Sequence, residues 1–411
     1  MPYERAREIE QRFQKAIYTQ RESVEFKKSW LWSSEHRVSL LSALLPSSES
    51  GGTRFAQYEM NLIGGMSSLV DHKRSGENPT TSPRNSGVCF MQNKSRVEWC
   101  MREKDEKPAV AYRTGLGQMF LGDAKDTLLS PALNEYKGHV QLIFTSPPFP
   151  LNRKKRYGNF QGQEYIEWLI SFIPVFKGLL APDGSIVIEL GNSWEPGHPI
   201  MSPLNLRALL AFLDKGNLRL CQQFVCYNPA RLPSPAQWVN VERIRLKDSF
   251  THVWWMSPGD RPKADNRRVL KPYSQSMKQL LSSQKYNSGK RPSEHTIGRT
   301  SFLTNNNGAI PPNVITLANT CASDTYQDYC RTQNLPIHPS RMQTGLAEFF
   351  IKFLTEQNDL VLDPFAGSNT TGSMSEQLGR RWISVEVQEK YVKGSFGRFL
   401  SPDTPVPTDE A

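Results

Sequence analysis

Two apolar runs of strand type, Val140-Gln141-Leu142-Ile143-Phe144 and Leu360-Val361-Leu362, each deliver the chain straight into a loop of unusual chemistry. The first run leads into Thr145-Ser146-Pro147-Pro148-Phe149. The second leads into Asp363-Pro364-Phe365-Ala366-Gly367-Ser368-Asn369-Thr370-Thr371-Gly372. Strand and helix patterns alternate around both loops, with a helix expected over 164–180, a strand over 185–190 and a helix over 371–378. Such alternation predicts an α/β sheet with a site at its strand ends.

The second loop is rich in small residues, which let a backbone approach a ligand closely, and the helix after it offers free N–H groups. A further strand pattern over 381–387 carries Glu386. An acid about 20 residues beyond such a turn is where nucleotide-type folds hold a ribose diol. The chain contains no Gly-x-Gly-x-x-Gly and no Gly-x-x-x-x-Gly-Lys-Ser/Thr, which argues against nicotinamide cofactors and ATP. An ordinary strand–turn–helix crossover would also account for this segment on its own.

In the first loop, two prolines remove two backbone donors and fix φ, so the chain leaves the sheet stiffly with carbonyls exposed. The Ser146 hydroxyl and a neighbouring carbonyl can accept from an amino group, and Phe149 offers a flat face to a ring. That set suits an exocyclic amine on an aromatic ring. A plain Ser-Pro-Pro turn with Phe149 in the core is the competing reading.

Taken together and in this order, Ser-Pro-Pro-Phe and Asp-Pro-Phe-x-Gly-Ser-x-Thr-Thr resemble the β-class amino methyltransferases of DNA, in which the catalytic loop precedes the cofactor loop. Ser at the first position of the Pro-Pro loop resembles the cytosine-N4 enzymes, whereas adenine-N6 enzymes more often carry Asp or Asn there. The resemblance extends through Leu151-Asn152-Arg153-Lys154-Lys155-Arg156, Tyr227-Asn228-Pro229-Ala230-Arg231-Leu232-Pro233-Ser234-Pro235, Trp238-Val239-Asn240 and Val253-Trp254-Trp255. It covers residues 112–400. Asn369 stands where the family most often has Gly.

The resemblance implies a Rossmann-like α/β fold, a mixed and mostly parallel sheet with helices on both faces, and an inserted target-recognition region. It implies S-adenosyl-L-methionine as methyl donor and no metal. Ser146 and the Pro147 carbonyl would hold the amine, with Pro148 stiffening the loop and Phe149 stacking on the base. Asp363, Phe365, Ala366, Gly367, Ser368, Asn369 and Thr370 would hold the methionine part of the cofactor, Glu386 its ribose, and Asp123 would lie near its adenine. His338, ahead of a helix expected over 345–354, would close the methionine side, although Met342-Gln343 stands where the family often has Phe-Pro. Arg153, Lys154, Lys155 and Arg156 would meet the DNA backbone.

Composition agrees with a polyanionic partner: 50 Lys and Arg against 40 Asp and Glu leave a net charge of +10. The six cysteines include no Cys-x-x-Cys pair and none follows a proline, which excludes the usual nucleophile of cytosine-C5 methylation and gives no zinc pattern. They read as reduced thiols of a cytosolic protein. The start Glu4-Arg5-Ala6-Arg7-Glu8 is charged rather than leader-like, and no apolar run approaches membrane-spanning length.

The expected layout has residues 1–110 as a partly disordered extension, a methyltransferase domain over 111–402 and a tail over 403–411. Within the domain, 111–195 forms the catalytic half, about 195–335 the target-recognition region and 336–402 the cofactor half. The function implied is N4-methylation of cytosine in a short specific sequence of double-stranded DNA by a cytoplasmic, monomeric enzyme, paired with a cognate restriction endonuclease. Adenine-N6 methylation by the same fold is the first alternative. An RNA or small-molecule methyltransferase, or a DNA-binding protein without catalysis, fits less well.

Overall fold

The computed structural model describes residues 98–99, 108–149, 160, 162–318 and 324–400. The expected extension up to residue 97, the basic run Arg153–Arg156 and the tail 403–411 lie outside the described residues.

The chain opens its sheet with β1 (Glu98–Trp99), β2 (Ala109–Arg113) and β3 (Gly117–Leu121), then forms helix α1 (Ala124–Leu129) and β4 (Val140–Thr145). Helices α2 (Gly162–Ile170) and α3 (Ile173–Leu179) lead to β5 (Leu180–Gly191), and α4 (Leu204–Gly216) leads to β6 (Arg219–Tyr227) and β7 (Phe250–Ser257). Next come α5 (Gln275–Ser283), a small hairpin of β8 (Gly289–Lys290) and β9 (Thr296–Ile297), β10 (Val314–Thr316) and α6 (Thr325–Thr332). The last part is α7 (Thr344–Leu354), β11 (Leu360–Asp363), α8 (Thr370–Gln377), β12 (Arg381–Glu386) and α9 (Glu389–Ser395).

One sheet runs in the order β1-β2-β3-β12-β11-β4-β5-β7-β6-β10. Its centre, β3 through β5, is parallel, and β7 enters antiparallel between β5 and β6. From the β4–β11 pair the chain winds outward both ways, β4 to β5 on one side and β11 to β12 on the other. That is a topological switch point, where the crevice beyond the strand ends receives ligands.

The strand patterns explain the layering. Every residue of β4 and β11 is buried, as a parallel strand covered on both faces requires. Alternate side chains serve opposite cores: Ile143, Leu360, Leu362, Ile186 and Ile188 pack with Phe172, Phe176 and Phe212 on one face. Leu142, Phe144, Val361 and Val187 pack with Phe350 and Leu354 of α7 on the other.

The expected single helix over 164–180 is two helices. Pro174 has no N–H to donate into a preceding turn, so it sits in the first turn of α3 and a new helix begins there. β5 then starts at Leu180, earlier than the 185–190 expected. Pairing of β1 with β2, and of β2 with β3, carries the folded part ahead of residue 111. The stretch 195–335 also contributes β6, β7 and β10 to the main sheet, with Trp254 and Trp255 in its core. The connections between these strands, 228–249 and 258–313, lie outside that sheet. Among the described cysteines, Cys221, Cys226 and Cys330 are free thiols, as expected; Cys89, Cys100 and Cys321 lie outside the described residues.

Phe350 is fully buried, its ring 5.5 Å from that of Phe144 and 5.0 Å from that of Phe224. Phe350→Ala is expected to destabilise the fold by about 3–5 kcal/mol, checked by chemical denaturation.

Candidate active site

Because β4 and β11 are parallel neighbours, Thr145 and Asp363 reach the same edge of the sheet together. The Thr145 hydroxyl donates to Asp363 Oδ1 at 2.7 Å in a buried bond. Thr371 Oγ1 donates to Asp363 Oδ2 at 2.7 Å, and the Phe365 N–H donates to Oδ1 at 3.1 Å. One carboxylate thus joins the strand leading to Ser146, the loop after β11 and the start of α8. Burial pushes the Asp363 carboxyl up to about 6, against the opposing pull of these three donors.

The loop from Ala366 to Thr370 is held as firmly. The Ala366 N–H donates to the Val385 carbonyl at 2.9 Å, and the Gly367 N–H to Glu386 Oε2 at 3.0 Å. Gly367 has φ +52° and lies against the His338 ring, which a β-carbon there would meet at 3.0 Å. Asn369 also adopts the left-handed conformation, φ +54°, which accounts for Asn standing where Gly is commonest in the family. Its Oδ1 accepts from the Gly372 N–H and Ser384 Oγ, and its Nδ2 donates to Tyr112 Oη at 3.0 Å. Asn369 is fully buried, and its side chain shapes the loop that lines the cavity.

Glu386 accepts from the Gln388 N–H as well, at 2.8 Å, and burial raises its carboxyl above the usual range. Asp123 is exposed and caps α1, accepting from the N–H groups of Lys125 and Asp126. The His338 ring packs edge-on to Tyr391 with centroids 4.5 Å apart, and its Nδ1 accepts from the Ser340 N–H, leaving the proton on Nε2 in the neutral ring. The departure from the family at Met342 is absorbed, since Met342 lines the cavity with its sulfur 3.7 Å from Thr371 Oγ1.

A cavity of about 310 Å³ lies over these groups. Ser146, Pro147, Pro148 and Phe149 line one part of it. Asp123, His338, Asp363, Phe365, Ala366, Gly367, Ser368, Thr370 and Glu386 line the rest. Such a volume suits a small ligand. Three carboxylates, the hydroxyls of Ser368 and Thr370 and the rings of Phe365 and Tyr391 match a ligand with an ammonium, a diol and an aromatic base. S-adenosylmethionine has those groups, so the residues present fit it. Among the described residues no group of His, Cys, Asp or Glu could hold a metal ion.

Two participants were not read from the sequence. Gly191, the last residue of β5, lets the Phe149 ring close against the sheet; a β-carbon would stand 3.0 Å from the ring. Glu189 lies two residues earlier. Its carboxylate accepts from Thr251 Oγ1 at 2.8 Å and bonds to the Ser146 hydroxyl. Burial raises its pKa, while Thr251, Arg231 and Ser146 pull the other way. A strand acid preceding Gly-Asn was the available signal, but the Ser146 contact depends on the β4–β5 register, Thr145 opposite Ile188.

Asp363 holds its proton in the folded protein up to about 6, whereas an unfolded Asp releases it near 3.9. Between those values the native state binds more protons, so stability falls as pH rises through that window and stays lower above it, by at most about 3 kcal/mol. Urea unfolding from pH 4 to 7 is expected to show this decline, and Asp363→Asn to flatten it.

The DNA methylase family of N6 and N4 methyltransferases matches residues 140–396, more than half of the chain. The type II methyltransferase M.PvuII of Proteus hauseri is 43% identical over 297 residues, covering 72% of this chain and 86% of that protein. M.BglII of Bacillus subtilis is 24% identical over 291 residues, 69% of each chain. The solved structure of PvuII DNA methyltransferase (cytosine-N4-specific) superposes with a TM-score of 0.57 at 36% identity, covering 71% of this chain and 89% of that one. With the family's two loops converging on one cavity, this chain belongs to the DNA methylase family of amino-group methyltransferases.

Proposed function

We propose that the protein transfers a methyl group from S-adenosyl-L-methionine to the exocyclic N4 of cytosine in a specific sequence of double-stranded DNA. The observation that carries this reading is that Ser146–Phe149 and Asp363–Thr370 line one cavity, the first set suited to an amine on a flat ring and the second to a charged cofactor. When bound, the cofactor supplies an electrophilic methyl group on a sulfonium.

Asp363 would meet the cofactor's ammonium, Glu386 would take its ribose hydroxyls, and Asp123 would lie beside the adenine. Ser368 and Thr370 offer further acceptors, and the His338 wall closes the methionine side. Ser146 Oγ and the Pro147 carbonyl accept the two amine hydrogens of cytosine, while Phe149 stacks on its ring. This favours a pyramidal nitrogen whose lone pair is no longer drawn into the ring. Holding amine and methyl in line can supply roughly 7–11 kcal/mol of a barrier. Charge that develops on the amine is stabilised by the same acceptors. The extra proton passes from nitrogen to Ser146 Oγ as the Ser146 proton moves to Glu189, whose raised pKa suits it to receive one.

A paired cytosine cannot reach this recessed loop, so the base rotates out of the duplex. Arg153–Arg156, which follow the catalytic loop directly, contact the phosphates beside it. The enzyme acts as a monomer in the bacterial or archaeal cytosol and protects host DNA from an endonuclease of matching specificity. Among the described residues no helix is long and apolar enough to cross a membrane.

Incubating DNA with the protein and S-adenosylmethionine, followed by nucleoside mass spectrometry, is expected to yield N4-methylcytosine. A product containing only N6-methyladenine would transfer the reading to the adenine enzymes. Glu189→Gln is expected to lower the methylation rate by about 10²–10⁴-fold with cofactor affinity unchanged in calorimetry.

A further inference from the structure

The connection between β6 and β7, residues 228–249, exposes four large aliphatic side chains: Leu232 at 79%, Val241 at 69%, Ile244 at 59% and Leu246 at 90%. Single exposed aliphatics are ordinary, but several on one loop beside a site mark a binding surface. Arg231, Arg243, Arg245 and Lys247 are interleaved with them.

The loop is built rather than loose. Trp238 is buried beneath it, its ring edge-on to Trp194 at 6.2 Å, and its carbonyl accepts from the N–H groups of Ile244 and Arg245 at 2.9 and 3.2 Å. Arg243 adopts the left-handed conformation, φ +57°, turning the chain so that Ile244 and Leu246 follow on the outside. Leu246 is gripped from both sides. Arg245 pairs with Asp248 at 3.4 Å, and Lys247 Nζ donates to the carbonyls of Pro229 and Arg231 at 3.1 Å each. A fixed loop that nonetheless spends its most exposed position on leucine has a use for that leucine outside itself.

Its place in the fold says what the use is. Tyr227 and Phe250, which bound the loop, pair at the sheet edge where Gly191 pairs with Thr251. That is the edge of the catalytic loop, and Glu189 connects the two by bonding both Thr251 and Ser146. Arg231 in the loop lies close enough to act on the Glu189 carboxylate. DNA presenting a base to Ser146 must run past this apolar, basic crown.

We propose that Leu246, with Ile244 beside it, is a wedge that enters the base stack at the target step and occupies the gap left by the extruded cytosine. Apolar side chains inserted between base steps are a recurring way to hold DNA unstacked, and the exposed Arg243 beside Ile244 is placed to meet a neighbouring phosphate. This inference rests on the methyltransferase reading of the neighbouring pocket.

The test uses the full chain and a duplex carrying its mapped target, once fully paired and once with an abasic position opposite the target cytosine. Leu246→Ala and the double variant Ile244→Ala/Leu246→Ala are expected to bind the paired duplex about tenfold or more weakly, as for a lost base-stacking contact. The loss should be smaller on the unpaired duplex, and 2-aminopurine placed beside the target should show less fluorescence gain. Leu232→Ala, on the other limb of the loop, should leave this difference unchanged. Affinities equal to wild type on both duplexes, or lowered equally on both, would overturn the wedge. Cofactor calorimetry and melting confirm that each variant is folded. N4-methylcytosine formed by the wild-type protein on the same duplexes reports on the underlying function separately.

Discussion

The buried hydrogen bond from Thr145 to Asp363 is the joint on which the site depends. It crosses between the two strands at the switch point and so ties the substrate side of the cavity to the cofactor side. It also satisfies a carboxylate that would be costly to bury alone. Thr371 completes the arrangement from α8, so sheet, loop and helix share one acceptor. Shifting β11 against β4 by one residue would break this bond and turn Asp363 toward a core face. Fold and site are therefore specified by the same register.

Much of this was legible in the chain, for identifiable reasons. Ser146, Phe149, Asp363 and Glu386 stand in short contiguous segments whose residue types declare their chemistry, and all of them reach one cavity. The helix break at Pro174 was also written locally, but the apolar pattern continues through it and outweighed the missing donor. Asn369 was expected to contact a ligand. Its left-handed φ supplies a conformational reason for the residue type there: Gly and Asn take this backbone shape with least strain.

What stayed hidden depends on contacts across the sheet. Glu189 and Gly191 become neighbours of Ser146 and Phe149 only because β5 pairs with β4 in a particular register, which no local pattern encodes. The middle stretch, expected to carry the recognition region, also supplies core strands that its prolines and serines obscure in the sequence. Its β6 and β7 have the antiparallel partners and buried tryptophans of a core. The aliphatic crown of the β6–β7 loop escaped notice for a related reason, since exposure is invisible until the underlying Trp238 is placed.

The internal hydrogen bonds of the cofactor loop have a thermodynamic consequence. Gly367, Asn369, Thr371 and Asp363 are all satisfied by protein partners, so the loop's shape is fixed by the protein's own hydrogen bonds. A ligand entering such a preformed cradle gives up its own freedom but need not order the chain around it. Its binding isotherm should therefore carry the modest heat-capacity change of a small buried surface, without the large one that accompanies coupled folding. On the proposed rotation of a base out of the duplex, the moving part of the reaction is the DNA rather than the cofactor loop.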